Sequence, residues 1–475
     1  MSSIPLTAAM VFLFGASAAA AESNLDLTLY RDNSDALFQG GNSPVAQGYA
    51  VIHERREINL DGSRQSVVID GLPSTLDAEA VDIEFGTDAK ILARRVLGSG
   101  EGWLAAQRGE PLTVFADDGK PIVGGTLLGL DGSSLIVRSA VGGTSYVRDY
   151  GRVEISDGVG RPGSTLQVLV DGGNGATHAD LTYPTSGLGW RGAYMATLEP
   201  GDTCRIVLQA LASIANRSGR DFSAAQLKLI AGAPNFAKPI SPQPMQKARA
   251  FAANAPESLP QESQFGDYRS YVIDGSFDLP DSSISQVPLY APQALPCVRT
   301  WLIESGGDWT PQRPRTADDG FVPTSSHATS KLAFAAHTAL PQGYLRVLTR
   351  GTEGNAEFLG EDQIDDTPKG QSVGVTLGTA FNLTAERERT VFSVDQAAHE
   401  MKEGFRITLG NTGDATRTIT LREHPNRWRN WTLTSSSAKP SKQTPDLLEF
   451  RIQVPANGKK TLAYTVLYQW TAAEQ

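Results

Sequence analysis

Alternation of apolar and polar side chains, repeated over five residues or more, is what most limits how this chain can fold. Leu448, Phe450, Ile452 and Val454 alternate with Glu449, Arg451 and Gln453. Leu462, Tyr464, Val466, Tyr468 and Trp470 repeat the pattern, as do Phe405, Ile407 and Leu409. Ile206, Leu208, Ala210, Ala212 and Ile214 give a longer example. Successive side chains on a strand point to opposite faces, so period two buries one face and wets the other. The 47 glycines and 27 prolines cut the chain into short runs at regular spacing. That layout predicts β-sandwiches or barrels, not strands alternating with helices. Helical pattern is confined to residues 88–97 and 102–108, each expected as a short helix.

Residues 1–21 carry no charged side chain. An apolar run over 4–14 leads into small residues ending at Ala21, the layout of a cleaved signal peptide. The mature chain is therefore expected in the periplasm or outside the cell. No later apolar run reaches the roughly 20 residues of a membrane helix, so no transmembrane segment is expected in it. Cys204 and Cys297 are the only cysteines. An even pair in an exported protein reads as one disulfide. Closing so long a loop contributes on the order of 4 kcal/mol on the chain-entropy argument.

The remaining length exceeds one core, and about two to four domains are expected. Residues 24–109 read as a β region with a short helical segment. Residues 110–157 read as a small inserted β-barrel, with Asp118-Gly119 and Asp131-Gly132 supplying tight hairpin turns. A sandwich region follows over 158–233, then a Pro-rich linker or loop over 234–266, then a C-terminal sandwich region over 267–470. No period of about 20–50 residues recurs, which excludes propellers and solenoids. The fold class is all-β: multi-domain sandwiches, a small inserted barrel and few short helices.

Acidic residues number 52 against 42 basic ones, a net charge of −10. Phosphate backbones need a basic footprint, so nucleic acid is excluded as a partner. Residues 158–163 fit G-x-G-x-x-G, but Pro162 and a strand-like run follow where a dinucleotide site opens a helix, so the motif reads as a turn. Two H-E-x-x-E strings occur, His53 to Glu57 and His399 to Glu403. One helical turn would bring the ends of such a string together at a metal. The first alternates as a strand, with Glu54 opposite His53 and Glu57; the second could form one helical turn. Asp362, Asp365 and Asp366 read as an Asp-rich turn first and as an acid–base or calcium site second. No cofactor, catalytic residue or metal ligand is assigned. Trp190, Trp428 and Trp431 are the speculative ligand-binding surface, since aromatics beside polar groups hold flat partners such as sugars. The competing reading, that these indoles fill sandwich cores, ranks above it.

Tyr183, Gly187, Trp190 and Tyr194 form one pattern, followed by Asn216, Ser218 and Gly219 and then Leu227, Leu229 and Gly232. With LPQGYLRVLTRGTEGNAEFLGEDQIDDTPKG and LREHPNRWRNW further on, the chain resembles the bacterial domain-of-unknown-function family numbered 4139, which includes mucoidy-inhibitor-like proteins. The resemblance covers about residues 25–470. Longer relatives carry an N-terminal helical coiled-coil segment that has no counterpart here, so a short form is expected. The resemblance implies a mostly β fold and an exported location, and brings no catalytic residues.

The reading that follows is an exported, non-enzymatic envelope scaffold that binds protein or matrix polymer. Carbohydrate binding or processing, including exopolysaccharide, ranks second. A metal-dependent hydrolase built on His399 and Glu403 ranks third.

Overall fold

The computed structural model describes residues 25–41, 43–97, 104, 107–155, 163–201, 203–232, 261–265, 268–307, 311–318, 320–351 and 354–474. The signal-like stretch, most of the Pro-rich segment and most of the expected helix over 102–108 lie outside them. Two units separate, one made of residues 25–189, 215–232 and Gln261–Ile284, the other of Trp190–Ile214 and Ser285 onward.

The first unit holds a seven-stranded sheet in the order Gln261–Phe265, Tyr268–Leu279, Phe222–Ala231, Leu25–Tyr30, Ala50–Asp61, Asn174–Thr185 and Asp82–Phe85. Leu27, Leu29, Ile52, Leu181, Leu227 and Leu229 fill its buried positions. A three-stranded sheet orders Gln65–Leu72, Ser164–Asp171 and Lys90–Leu97. The expected helix over 88–97 is therefore a strand. Its backbone bonds run to Ser164–Asp171 from Lys90↔Asp171 to Leu97↔Thr165, and that pairing overrides a weak helical pattern. A single helical turn forms instead at Asp35–Phe38, where Leu37 and Phe38 pack on Ala215.

The inserted segment of the first unit is a five-stranded antiparallel sheet, ordered Arg152–Ile155, Pro111–Phe115, Pro121–Asp131, Ser134–Ser139 and Thr144–Val147. Its core is Leu112, Val114, Leu127, Leu135, Val137 and Val147. Gly119 and Gly132 take φ values of +80° and +59° in the expected turns, conformations open to glycine at no steric cost. The sheet stays open: among the described residues its two end strands, four residues each, pair only with their inner neighbours.

The second unit is dominated by one sheet in the order Ala356–Ile364, Gly343–Arg350, Leu188–Leu198, Arg205–Asn216, Ser283–Ser305, Thr324–Ala335, Ser372–Asp395, Glu400–Asn411, Gly458–Gln469 and Trp431–Ser436. Arg417–Glu423 pairs parallel with Ser283–Ser305 and antiparallel with Leu447–Val454. The alternating runs meet as the pattern requires, with Met401, Phe405 and Ile407 opposite Tyr468, Tyr464 and Leu462 in one core. Cys204 and Cys297 are joined as a disulfide with a Cα–Cα distance of 5.0 Å, and the Cys297 N–H donates to the Cys204 carbonyl. Among the described residues no helix is long and apolar enough to cross a membrane.

Both units turn one shared kind of corner. Asn216 and Asn411 each end a strand and are 1% and 2% exposed. The carboxamide of Asn216 donates to the carbonyls of Arg220 and Leu279, both at 2.8 Å. That of Asn411 donates to Ala415 at 2.9 Å and Val454 at 3.3 Å. Each Oδ1 accepts the N–H two residues on, from Ser218 or Gly413. Leu279 and Val454 both end strands that pair antiparallel with the strand after the corner, and both are followed by proline. Three residues beyond them Ser282 and Asn457 adopt positive φ.

Candidate functional site

Two of the three tryptophans singled out from the sequence belong to the core. Trp190 is 0% and Trp428 1% exposed, so neither offers a ring face to a ligand. Trp431 is half-buried and donates its indole N–H to the Pro445 carbonyl at 2.6 Å. The physical reason is area: a large indole gains most by full burial, whether on a strand as at Trp190 or in a loop as at Trp428.

The H-E-x-x-E strings do not converge either. His53, Glu54 and Glu57 lie on the strand Ala50–Asp61, with Glu54 inward and the other two outward, as expected. His399 sits in a turn at φ +55° and Glu403 on the strand that follows, so the helical turn considered for that string does not form. Among the described residues no three His, Cys, Asp or Glu side chains are grouped to hold a metal. Asp366 accepts from the Gln342 N–H in the expected turn, whereas Asp362 lies on the strand Ala356–Ile364 and accepts from the backbone N–H groups of Gln363 and of Thr376 on another strand.

The site with converging chemistry lies at one end of the second unit's core. Three strands place charged residues at inward positions there. Leu383 and Ala385 give way, at the same parity, to Arg387 and Arg389. Met401 and Phe405 flank Glu403, and Ile419 and Leu421 lead to Glu423. A charge can occupy an inward strand position only when partners replace its water. Glu423, 1% exposed, accepts a 2.6 Å hydrogen bond from the Tyr464 hydroxyl and a 2.9 Å bond from Arg387 Nε. Burial raises its pKa and outweighs the opposing pull of Arg387, Tyr464 and Ser305. Burial likewise holds the Tyr464 and Tyr468 hydroxyls well above the usual phenol range.

Glu403, 4% exposed, is bracketed by Arg427, through Nη2 at 3.2 Å and Nε at 3.3 Å, and by Arg389 at 3.7 Å. Arg427 is spent on structure, since its Nη1 donates to the Ala317 and Arg315 carbonyls. Arg389 is also paired with Asp318. Arg387 differs. It lies over the Phe405 ring at 3.5 Å and donates through Nε to Glu423. The Tyr464 hydroxyl also accepts a hydrogen bond from it.

A cleft of about 340 Å³ opens over this cluster. Arg315, Arg387, Arg427, Asn426, Phe321 and Tyr468 are on its wall, with Glu403 and Tyr464 behind. His424 at the rim is held between the Asp446 carbonyl and the Glu304 carboxylate, both at 2.9 Å. The chain stretch His424-Pro425-Asn426-Arg427 thus builds one wall from consecutive residues. Arg387 was not singled out from the sequence; Glu423 and Asn426 lie in the LREHPNRWRNW motif but were given no role. The readable signal was a charge replacing the next apolar residue of an alternating row.

A second buried cluster belongs to the first unit. Glu54 accepts hydrogen bonds from the Tyr183 hydroxyl at 2.6 Å, from both terminal nitrogens of Arg220 at 2.8 Å, and from Arg56 at 3.0 Å. Burial raises its pKa, but the bonds and charge of Arg220, with Arg56 and Tyr183, prevail and hold it down at about 2.

The family model described as Domain of unknown function (DUF4139) matches residues 179–472. No curated protein matches the chain.

Proposed function

Since the chain belongs to the DUF4139 domain family, which supplies no activity, we propose that it is an exported β-scaffold whose cleft in the second unit binds a partner without transforming it. The observation that carries this reading is the state of the buried acids. Glu403 and Glu423 are each locked by arginine, and Glu423 also by a tyrosine hydroxyl. Groups so bonded hold a shape; they are poorly placed to shuttle protons to a substrate. The Cys204–Cys297 bond supports an oxidising compartment. The partner is an envelope protein or an extracellular polymer.

The test uses the protein purified from its native envelope under oxidising conditions. Intact mass is expected to show loss of about the first 21 residues and of two thiol hydrogens. A saturable partner is expected to be retained by the native chain and lost by Val322→Trp. Val322 is 72% exposed on the cleft wall, so the larger ring fills the cleft without entering the core. Full-length mass with two free thiols overturns the location. Stoichiometric metal, or retention unchanged in Val322→Trp, overturns the binding assignment.

A further inference from the structure

We infer that Arg299 and Arg417 form an anion site that takes a phosphate group, free or as the monoester of a small molecule. The site shares no residue with the cleft and goes beyond the binding reading above. Arg417 begins the strand that Glu423 ends, which puts it about 20 Å from the cleft end.

The strand Ser283–Ser305 runs parallel to Arg417–Glu423, with Trp301 opposite Ile419 and Ile303 opposite Leu421. Ile419 and Leu421 are fully buried, and Trp301 packs half-buried against the same core. Two residues before Trp301 and Ile419, at the same parity, the strands carry Arg299 and Arg417. Both arginines are exposed, and both guanidinium groups lie over the Trp301 ring, at 5.5 and 4.9 Å from its centroid. One cation on an indole is stabilising; two on the same indole repel each other unless an anion joins them. The chain itself supplies none. Among the described residues the Arg299 guanidinium has one hydrogen-bond partner, the Ser330 hydroxyl at 3.3 Å from Nε, and that of Arg417 has none. Partial burial, and then the Arg417 charge, hold the Arg299 guanidinium below the usual arginine range. Exposed strand arginines elsewhere meet an acid directly across the sheet: Arg55 with Asp180, Arg346 with Glu361 and Arg406 with Glu388. The pair at Arg299 and Arg417 departs from that rule, on a chain whose net charge is −10. Two uncompensated charges suit a phosphate monoester, which carries about −1.5 to −2 near neutral pH; a carboxylate would leave one of them over. Guanidinium forks also bond phosphate oxygens in pairs.

The experiment is calorimetric titration of the full chain, disulfide intact and at fixed ionic strength, with inorganic phosphate, phenyl phosphate and acetate. Saturable binding of inorganic phosphate or phenyl phosphate is expected, with acetate at least about tenfold weaker. Inorganic phosphate bound more tightly marks the free anion as the ligand; phenyl phosphate bound more tightly marks an ester. Arg417→Gln removes one of the two charges, and its phosphate affinity is expected to fall at least about tenfold. Arg299→Lys keeps the charge and loses the fork, with an expected fall of several-fold. Both side chains are exposed, so neither variant disturbs the core. Val322→Trp, which fills the cleft, is expected to leave phosphate binding unchanged. Acetate bound as tightly as phosphate overturns the assignment. So does the absence of phosphate binding, unchanged affinity in both arginine variants, or loss of phosphate in Val322→Trp alone, which would move the anion to the cleft.

Discussion

Each unit buries a tyrosine hydroxyl against a glutamate that also meets an arginine, and the two glutamates are driven in opposite directions. Glu54 is held at a pKa of about 2, whereas Glu423 is raised. Both are nearly inaccessible, at 3% and 1%, so desolvation alone does not separate them. The difference is the count of cations. Glu54 has Arg220 on both oxygens and Arg56 besides, while Glu423 has a single Nε bond from Arg387. A buried carboxylate saturated with guanidinium stays ionised as a strut; one met by a single Nε bond keeps a raised pKa.

The largest expected contrast between the units is covalent, because only the second contains a disulfide. Replacing Cys204 and Cys297 together by alanine is expected to cost about 4 kcal/mol on the chain-entropy argument, read from urea unfolding. A loss near zero would show that the Ser283–Ser305 strand is fixed by its sheet bonds alone.

Next is Glu54→Gln, which leaves two part-buried guanidinium groups without their counter-charge and is expected to cost about 3 kcal/mol. The acid limb carries the same message. The Glu54 pKa falls from 4.5 to about 2 on folding. Its contribution is therefore present above pH 4.5 and lost as pH drops toward 2, about 3 kcal/mol in all. In Glu54→Gln that part of the acid dependence is expected to vanish; an unchanged pH profile would remove the ionised strut from the account.

The corners sharpen the comparison from the other side. Asn216→Ala and Asn411→Ala each strand buried backbone carbonyls, at an expected cost of about 2 kcal/mol apiece. Near-equal losses would support one architectural solution used twice. A gap larger than the cost itself would show that the resemblance of the corners is superficial.

Much of the fold could be read from period-two patterning, because a strand half-buried against a core leaves that trace in every second residue. Phe405 to Leu409 and Leu462 to Trp470 face one another as the alternation demands. Residues 90–97 misled because they form a strand with six exposed positions in a row, which carries no alternation. Trp190 and Trp428 misled because an indole beside polar neighbours in sequence can still point inward. Arg387 was hidden for a related reason: a strand arginine usually faces water. Only its parity with Leu383 and Ala385, known once the strand's buried face is known, marks it as inward.

The smallest effect is the most discriminating. Glu423→Gln keeps an acceptor for the Tyr464 hydroxyl and removes a charge that burial already disfavours, so its cost at neutral pH is expected to be under about 1 kcal/mol. The sign with pH is opposite to that of Glu54. A raised pKa means the carboxyl's contribution is complete below pH 4.5 and fades as pH climbs through the raised folded value. Relative to the native chain, Glu423→Gln is thus expected to gain stability as pH rises through that window, while Glu54→Gln recovers its loss only in acid. Denaturant midpoints across pH for the two variants check this directly. Parallel curves would mean that Arg387 satisfies Glu423 as fully as Arg220 satisfies Glu54.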